Sequence, residues 1–138
     1  VTSDIAAFQL LQNALNVAQL RQRVYANNIA NIDTPGYKRE DVSFESRLAS
    51  AMNSQSGAQV FGVRHISLSS QSNPNWQSML QVKPRIIRDT STIVSNNGNN
   101  VDVDAEMAKL AENQIRYNAL VQDVSMRVTR MKTAINGG

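Results

Sequence analysis

The sequence contains no cysteine, so disulfides and thiolate metal sites are ruled out. It has one histidine, His65, in the stretch Arg64-His65-Ile66-Ser67 with no acid beside it. A catalytic triad or a zinc site draws on several such residues, so His65 reads as an ordinary loop histidine. Aromatics make up 5% and hydrophobic residues 41% of the 138 positions, both low for a compact enzyme core. The glycines are scattered and form no phosphate-cradling loop. No apolar run approaches the ~20 residues of a membrane span, and Val1 to Ala7 lack the charged and apolar regions of a cleaved signal peptide. The missing initiator methionine leaves room for residues before Val1. The formal charge is +3, with bases and acids interspersed rather than arranged in a stripe for a phosphate backbone. These absences point away from an enzyme, a cofactor, a bound metal and a small-molecule substrate.

Two stretches are rich in helix signals. From Asp4 to Ile32 there is neither Pro nor Gly, and a seam with alternating three- and four-residue spacing runs Phe8, Leu11, Leu15, Ala18, Gln22, Tyr25, Ile29, Ile32. From Asp104 to Asn136 the pattern returns as Met107, Leu110, Gln114, Tyr117, Val121, Val124, Val128, Met131, Ile135. Asp104 is the candidate N-cap, Glu106 suits the first turn, and Arg127, Arg130 and Lys132 suit the helix end. Gly137 and Gly138 stop the helix. The expected fold is mainly α. Two long terminal helices of about 30 residues, each ~45 Å long, form an antiparallel coiled-coil-like hairpin. Residues 4–32 and 104–136 supply the helices, and a polar, partly extended or β middle region, 33–103, packs on them. All of 1–138 reads as one unit. Each seam is broken by Gln-x-x-Tyr, and the expected register sets Gln22 beside Tyr117 and Tyr25 beside Gln114 as one polar layer.

In the middle region, Thr34-Pro35-Gly36-Tyr37 is a turn, because Pro presets φ and Gly supplies the positive φ. A short helix is expected near Asp41 to Met52, with Phe44, Leu48 and Met52 on one face. Val60 to Leu68 and Val82 to Val94 read as extended, and Ser95 to Asn100 as a loop. Asp102-x-Asp104-x-Glu106 has the look of a calcium loop but lacks its glycine and its terminal bidentate Glu, so helix capping is the better reading.

Two surface features bear on partners. Arg116, Arg127, Arg130 and Lys132 could make a basic face for nucleic acid or an anionic membrane, but no aromatics interleave with them and a solvated helix face explains them as well. The first helix also carries a second apolar row, Leu10, Val17 and Val24, with Leu20 beside it, away from the seam. A helix apolar on two faces suits a packed assembly, so this outer row is expected to meet neighbouring subunits.

One segment is more specific. Ala26-Asn27-Asn28-Ile29-Ala30-Asn31-Ile32-Asp33-Thr34-Pro35-Gly36-Tyr37 resembles the N-terminal motif of flagellar rod and hook proteins. Lys38 to Phe44, the run Asn99 to Met107 and the lack of a large insertion between the helices resemble the proximal rod members of that family over nearly the whole chain. Two proximal members of similar size fit this description. The resemblance implies a structural subunit of the basal-body rod whose terminal helices pack in the tube core. It also implies export through the flagellar type III apparatus, without a cleaved signal, into the periplasmic or cell-wall space. The partners implied are other copies of the chain, other rod proteins, the membrane-embedded ring with its rod adaptor, and the export apparatus. In this setting Asn27, Asn28, Ile29, Asn31, Thr34, Pro35, Gly36 and Tyr37 are architectural, with short amides that can bond backbone groups freed at a helix end.

Overall fold

The computed structural model describes residues 2–53, 76–90, 96 and 98–137. The elements are α1 (Thr2–Ala30), β1 (Glu40–Ser43), α2 (Glu45–Asn53), α3 (Trp76–Leu80), β2 (Arg85–Arg88) and α4 (Val103–Asn136). The fold is mainly α, with α1 and α4 packed together as a long pair. They run antiparallel: Asp4 lies near Met131, Ala18 is opposite Asn113, and Asn28 is opposite Glu106. The expected helices are present at both ends. α4 is capped by Asp102 rather than Asp104, its carboxylate accepting from the N–H groups of Asp104 and Ala105. Gly137 ends it, donating to the Thr133 carbonyl.

β1 and β2 form an antiparallel ribbon in which Val42 faces Ile86. The helix expected near Asp41 to Met52 is therefore shorter: its first residues form β1, α2 starts at Glu45, and Met52 is exposed. Of the stretch Val82 to Val94, Arg85–Arg88 is a strand; Val60 to Leu68 and His65 lie outside the described residues.

The core differs from the expected one in three ways. First, the row Leu10, Val17, Leu20, Val24 is not an outer face. Val17 and Val24 are buried with Tyr25, Val42 and Phe44, and Leu20, Leu48, Val82 and Leu110 pack around them. Leu10 is half-buried in a groove of about 500 Å³ between α1, α2 and α4. The middle region covers this row by supplying Val42 and Phe44, so α1 has two apolar faces because it meets α4 on one side and β1 with α2 on the other.

Second, the seam of α4 is rotated. Leu110, Tyr117, Val124 and Val128 are half-buried as expected, but Met107, Gln114, Val121 and Met131 are exposed. Glu106 and Asn113 are buried instead, with Leu120 half-buried. On α1 the seam fares better: Ala18 and Tyr25 are buried, Phe8, Leu11, Leu15 and Ile29 are half-buried, and Gln22 is exposed.

Third, the expected polar layer does not form, and the helices meet about one turn away from the expected register. Gln22 accepts from Asn113 at 3.3 Å, Tyr25 donates to Asp41, and Gln114 donates to Asn118. Rotating α4 lets two polar side chains find long-range partners on α1, and a buried polar group needs such partners more than an apolar one needs burial.

Candidate functional site

The Asn-rich motif, the strand entry and the start of α4 meet at one polar joint. α1 ends where the Asn31 side chain turns back to the Asn27 carbonyl at 2.8 Å. Thr34 donates its hydroxyl to Asn31 Oδ1, and Tyr37 N–H closes the Thr34-Pro35-Gly36-Tyr37 turn on the Thr34 carbonyl. Gly36 sits at φ +71°, the left-handed conformation this turn requires at its third position. The carbonyls of Asn31, Ile32 and Thr34 in this turn all accept from the amide of Asn99, at 2.8–3.0 Å. One buried side chain just ahead of α4 thus pins the turn that follows α1.

Asn28 is fully buried and does the work of a strand partner. Its Oδ1 accepts from the Glu40 N–H, and its Nδ2 donates to the Glu40 carbonyl and to Glu106 Oε2, all within 2.7–2.9 Å. Tyr37 donates its hydroxyl to the same Asn28 Oδ1 and accepts from Asn27. Glu106, 1% exposed, is held by Asn28 on one oxygen and by Arg39 Nε at 2.5 Å on the other. Asn100 accepts from the Arg39 N–H and donates to the Asp89 carbonyl. Ile29 is half-buried, and Pro35 is exposed on the turn.

A second charged cluster continues along α1. Arg39, Lys109 and the Tyr25 hydroxyl converge on Asp41, and Arg21 holds Glu45 with both terminal nitrogens while also donating to the Val42 carbonyl. Burial raises the Asp41 carboxyl, but the Val42 N–H, Arg39, Tyr25 and Lys109 outweigh it and hold it at about 2. Tyr25 is pushed up to about 12, first by burial and then by its bond to Asp41. The two shifts act at opposite ends of the pH scale. Asp41 contributes its stability in full above the unfolded carboxyl pKa of about 3.9, and loses it as pH falls through about 2. Tyr25 contributes in full below about pH 10 and loses its share as pH rises through about 12. The urea midpoint is therefore expected to hold steady across neutral pH and fall at both extremes. Tyr25→Phe should flatten much of the alkaline fall; an unchanged alkaline limb would contradict the Tyr25 assignment.

Asp102 caps a helix and Glu106 is tied to Asn28 and Arg39, so the Asp102-x-Asp104-x-Glu106 run is divided between separate structural duties. Half of the basic face is paired, Arg116 with Glu112 and Glu45 and Arg127 with Asp123, while Arg130 and Lys132 meet no carboxylate among the described residues.

The remaining surface feature is the outside of α4. Met107, Ile115, Val121 and Met126 are exposed along it, Ile115 at 71%, while Met131 and Ile135 are exposed only at its C-terminal end, Met131 beside Asp4 of α1. On the inner side, the buried Asn113 Oδ1 has no hydrogen-bond partner among the described residues. Asn99, Asn100, Arg39, Asp41 and Glu106 carry the joint, although the sequence reading assigned them no role there. The clustering of Asn and acids just before α4 was the available signal.

Residues 8–38 match the family model described as flagella basal body rod protein. The chain is 42% identical over 130 residues to flagellar basal body rod protein FlgB of Bacillus subtilis, covering 94% of this chain and 93% of that one. It is 39% identical over 108 residues to the FlgB of Borreliella burgdorferi, covering 77% and 78% of the two chains. Against the FlgB of Escherichia coli it is 32% identical over 133 residues, covering 96% and 95%.

Proposed function

The chain belongs to the flagellar basal body rod protein family, and on that premise we propose that it is a structural subunit of the proximal rod. It assembles with other copies of itself and with other rod proteins into the axial drive shaft used for motility, and it turns over no substrate. Export through the flagellar type III apparatus and contact with the membrane-embedded ring and its adaptor belong to the same reading. No described helix is long and apolar enough to cross a membrane.

The observation that carries this reading is the set of large apolar side chains that α4 leaves in water, Met107, Ile115, Val121 and Met126. A monomer rarely leaves so many large apolar side chains of one helix in water, and such a surface marks an interface. The polar joint supports the same role. It locks the end of α1, the strand entry and the start of α4 to one another, which suits a part that carries load rather than one that opens and closes.

The test pairs two measurements on Ile115→Asp and Met126→Asp. Both residues are exposed, so each substitution should change the stability of the isolated chain by no more than about 0.5 kcal/mol. In a strain lacking the gene, the wild-type chain should restore swimming and the two variants should not. Full swimming with both variants would remove α4's outer surface from the interface. Swimming without any copy of the gene would remove the rod reading itself.

A further inference from the structure

The groove between α1, α2 and α4 has a mostly apolar lining, and its α1 wall carries the small residues Ala7, Ala14 and Ala18. Leu48 of α2 and Leu120 of α4 line its other sides, and Arg116 and Arg127 stand on the α4 wall. These arginines lie eleven residues apart, as do Ala7 and Ala18 along the facing wall. At 1.5 Å per residue each interval spans ~16 Å.

The exposed face of α4 repeats at the same interval. Glu112-Asn113-Gln114-Ile115-Arg116 and Asp123-Val124-Ser125-Met126-Arg127 share one pattern: an acid, two intervening residues, a large apolar residue and an arginine. A helix turns about 100° per residue, so eleven residues return to within about 20° of the same face. Ile115 and Met126, 71% and 58% exposed, therefore form one ridge. Only Asn118, Ala119 and Gln122 lie between them on that face, so the ridge can enter an apolar groove without burying a charge. Glu112 and Asp123 run along one flank of the ridge, each paired with the arginine four residues on, at 2.7 and 3.3 Å.

Ridge and groove thus lie on different faces of one chain and match in length, in apolar character and in the spacing of their charges. With an incoming α4 parallel to the α4 that walls the groove, the acidic flank falls on the arginine side. Glu112 then comes to Arg116 and Asp123 to Arg127, ~16 Å apart on both helices. Ridge against ridge would leave every groove open to water, whereas ridge into groove covers both surfaces. A contact between two different surfaces also repeats from copy to copy instead of closing as a pair, as growth of a rod requires.

We propose that the Ile115–Met126 ridge of α4 seats in the α1–α2–α4 groove of a second copy of this chain, with Glu112 and Asp123 beside that copy's Arg116 and Arg127. Each arginine then lies between its own carboxylate and a neighbour's. The proposal rests on the rod reading and deepens it by naming the surface that covers α4.

The experiment places a photo-crosslinking benzoylphenylalanine at Ile115 of the full chain, in its flagellated host, and maps the adducts by mass spectrometry. The expected product has twice the mass of the chain, with adducts within residues 7–18 or 44–48 of the second copy. Ala14→Trp fills the groove and should lower that product by about tenfold. Arg127→Glu sets like charges against Asp123 and should lower it by about threefold, and adding Asp123→Arg should restore it. This charge swap leaves the groove untouched, which guards against misfolding of the tryptophan variant. Adducts on α4 of another copy, on a different protein or on lipid would overturn the proposal. So would no dimer, or a dimer undiminished by Arg127→Glu. Where swimming still depends on the gene, such results remove the groove contact and leave the rod reading standing.

Discussion

Val17→Lys is expected to leave the isolated chain largely unfolded at ambient temperature. Val17 is 2% exposed and sits among Val24, Tyr25, Val42 and Phe44. A lysine there would place an ammonium in an apolar cluster, and Glu45, which lines the same groove, is already held by Arg21 one turn along the helix. Burying an unpaired charge costs several kcal/mol, against a total stability of about 5–15 kcal/mol for an ordinary domain. Val17→Ala removes two buried methyl groups without adding charge and should cost only about 2 kcal/mol. Urea unfolding followed by circular dichroism separates the two. A Val17→Lys chain as stable as wild type would mean that β1 and α2 do not cover this row. Val17 would then belong to a contact with neighbouring subunits, as α1's periodicity alone suggested.

Glu106→Ala is expected to cost about 3 kcal/mol, near the low end of the range for breaking a buried ion pair. The carboxylate is almost fully buried between Arg39 and Asn28, so its removal strands a guanidinium and an amide donor at once. Arg39 retains Asp41, which keeps the loss from the upper end of that range. Glu106→Gln keeps an oxygen for one of the two donors and should cost less, about 1–2 kcal/mol. Equal losses for the two variants would show that packing rather than hydrogen bonding sets the value of this position. No loss for Glu106→Ala would show that the joint does not hold the start of α4.

Both results turn on which way a helix faces, and that was the part of the structure least legible from residues alone. The existence of α1 and α4 was plain, because each is a long stretch free of Pro and Gly with apolar residues at helical spacing. The turn at Thr34-Pro35-Gly36-Tyr37 was equally plain, since its chemistry is local. The facing of α4 was not. Apolar residues occur all round that helix, so periodicity favoured the row through Met107, Gln114 and Val121 over the neighbouring row through Glu106, Asn113 and Leu120. What decides between them is far away in sequence: Asn28 and Arg39 for Glu106, and the Ala18 carbonyl for Asn113. The displaced apolar row then faces outward, where a monomer has no use for it. β1 was hidden for a similar reason. It is four residues long, and one of its edges is completed by side chains of α1 rather than by another strand. The motif asparagines were legible as architectural. That Asn28 would stand in for a strand and that Asn99 would pin the turn after α1 depended on pairings no local pattern announces.

The claim that the outer face of α4 is buried between rod subunits can be measured directly, because the chain has no cysteine of its own. A strain carrying Ile115→Cys in place of the wild-type chain provides one unique thiol at a position 71% exposed in the isolated protein. Maleimide labelling should be rapid on the purified chain and strongly suppressed on intact purified basal bodies, returning when those are dissociated in denaturant. Labelling of intact basal bodies as fast as that of the isolated chain would leave α4's apolar surface in water in the assembled state, and would contradict the account.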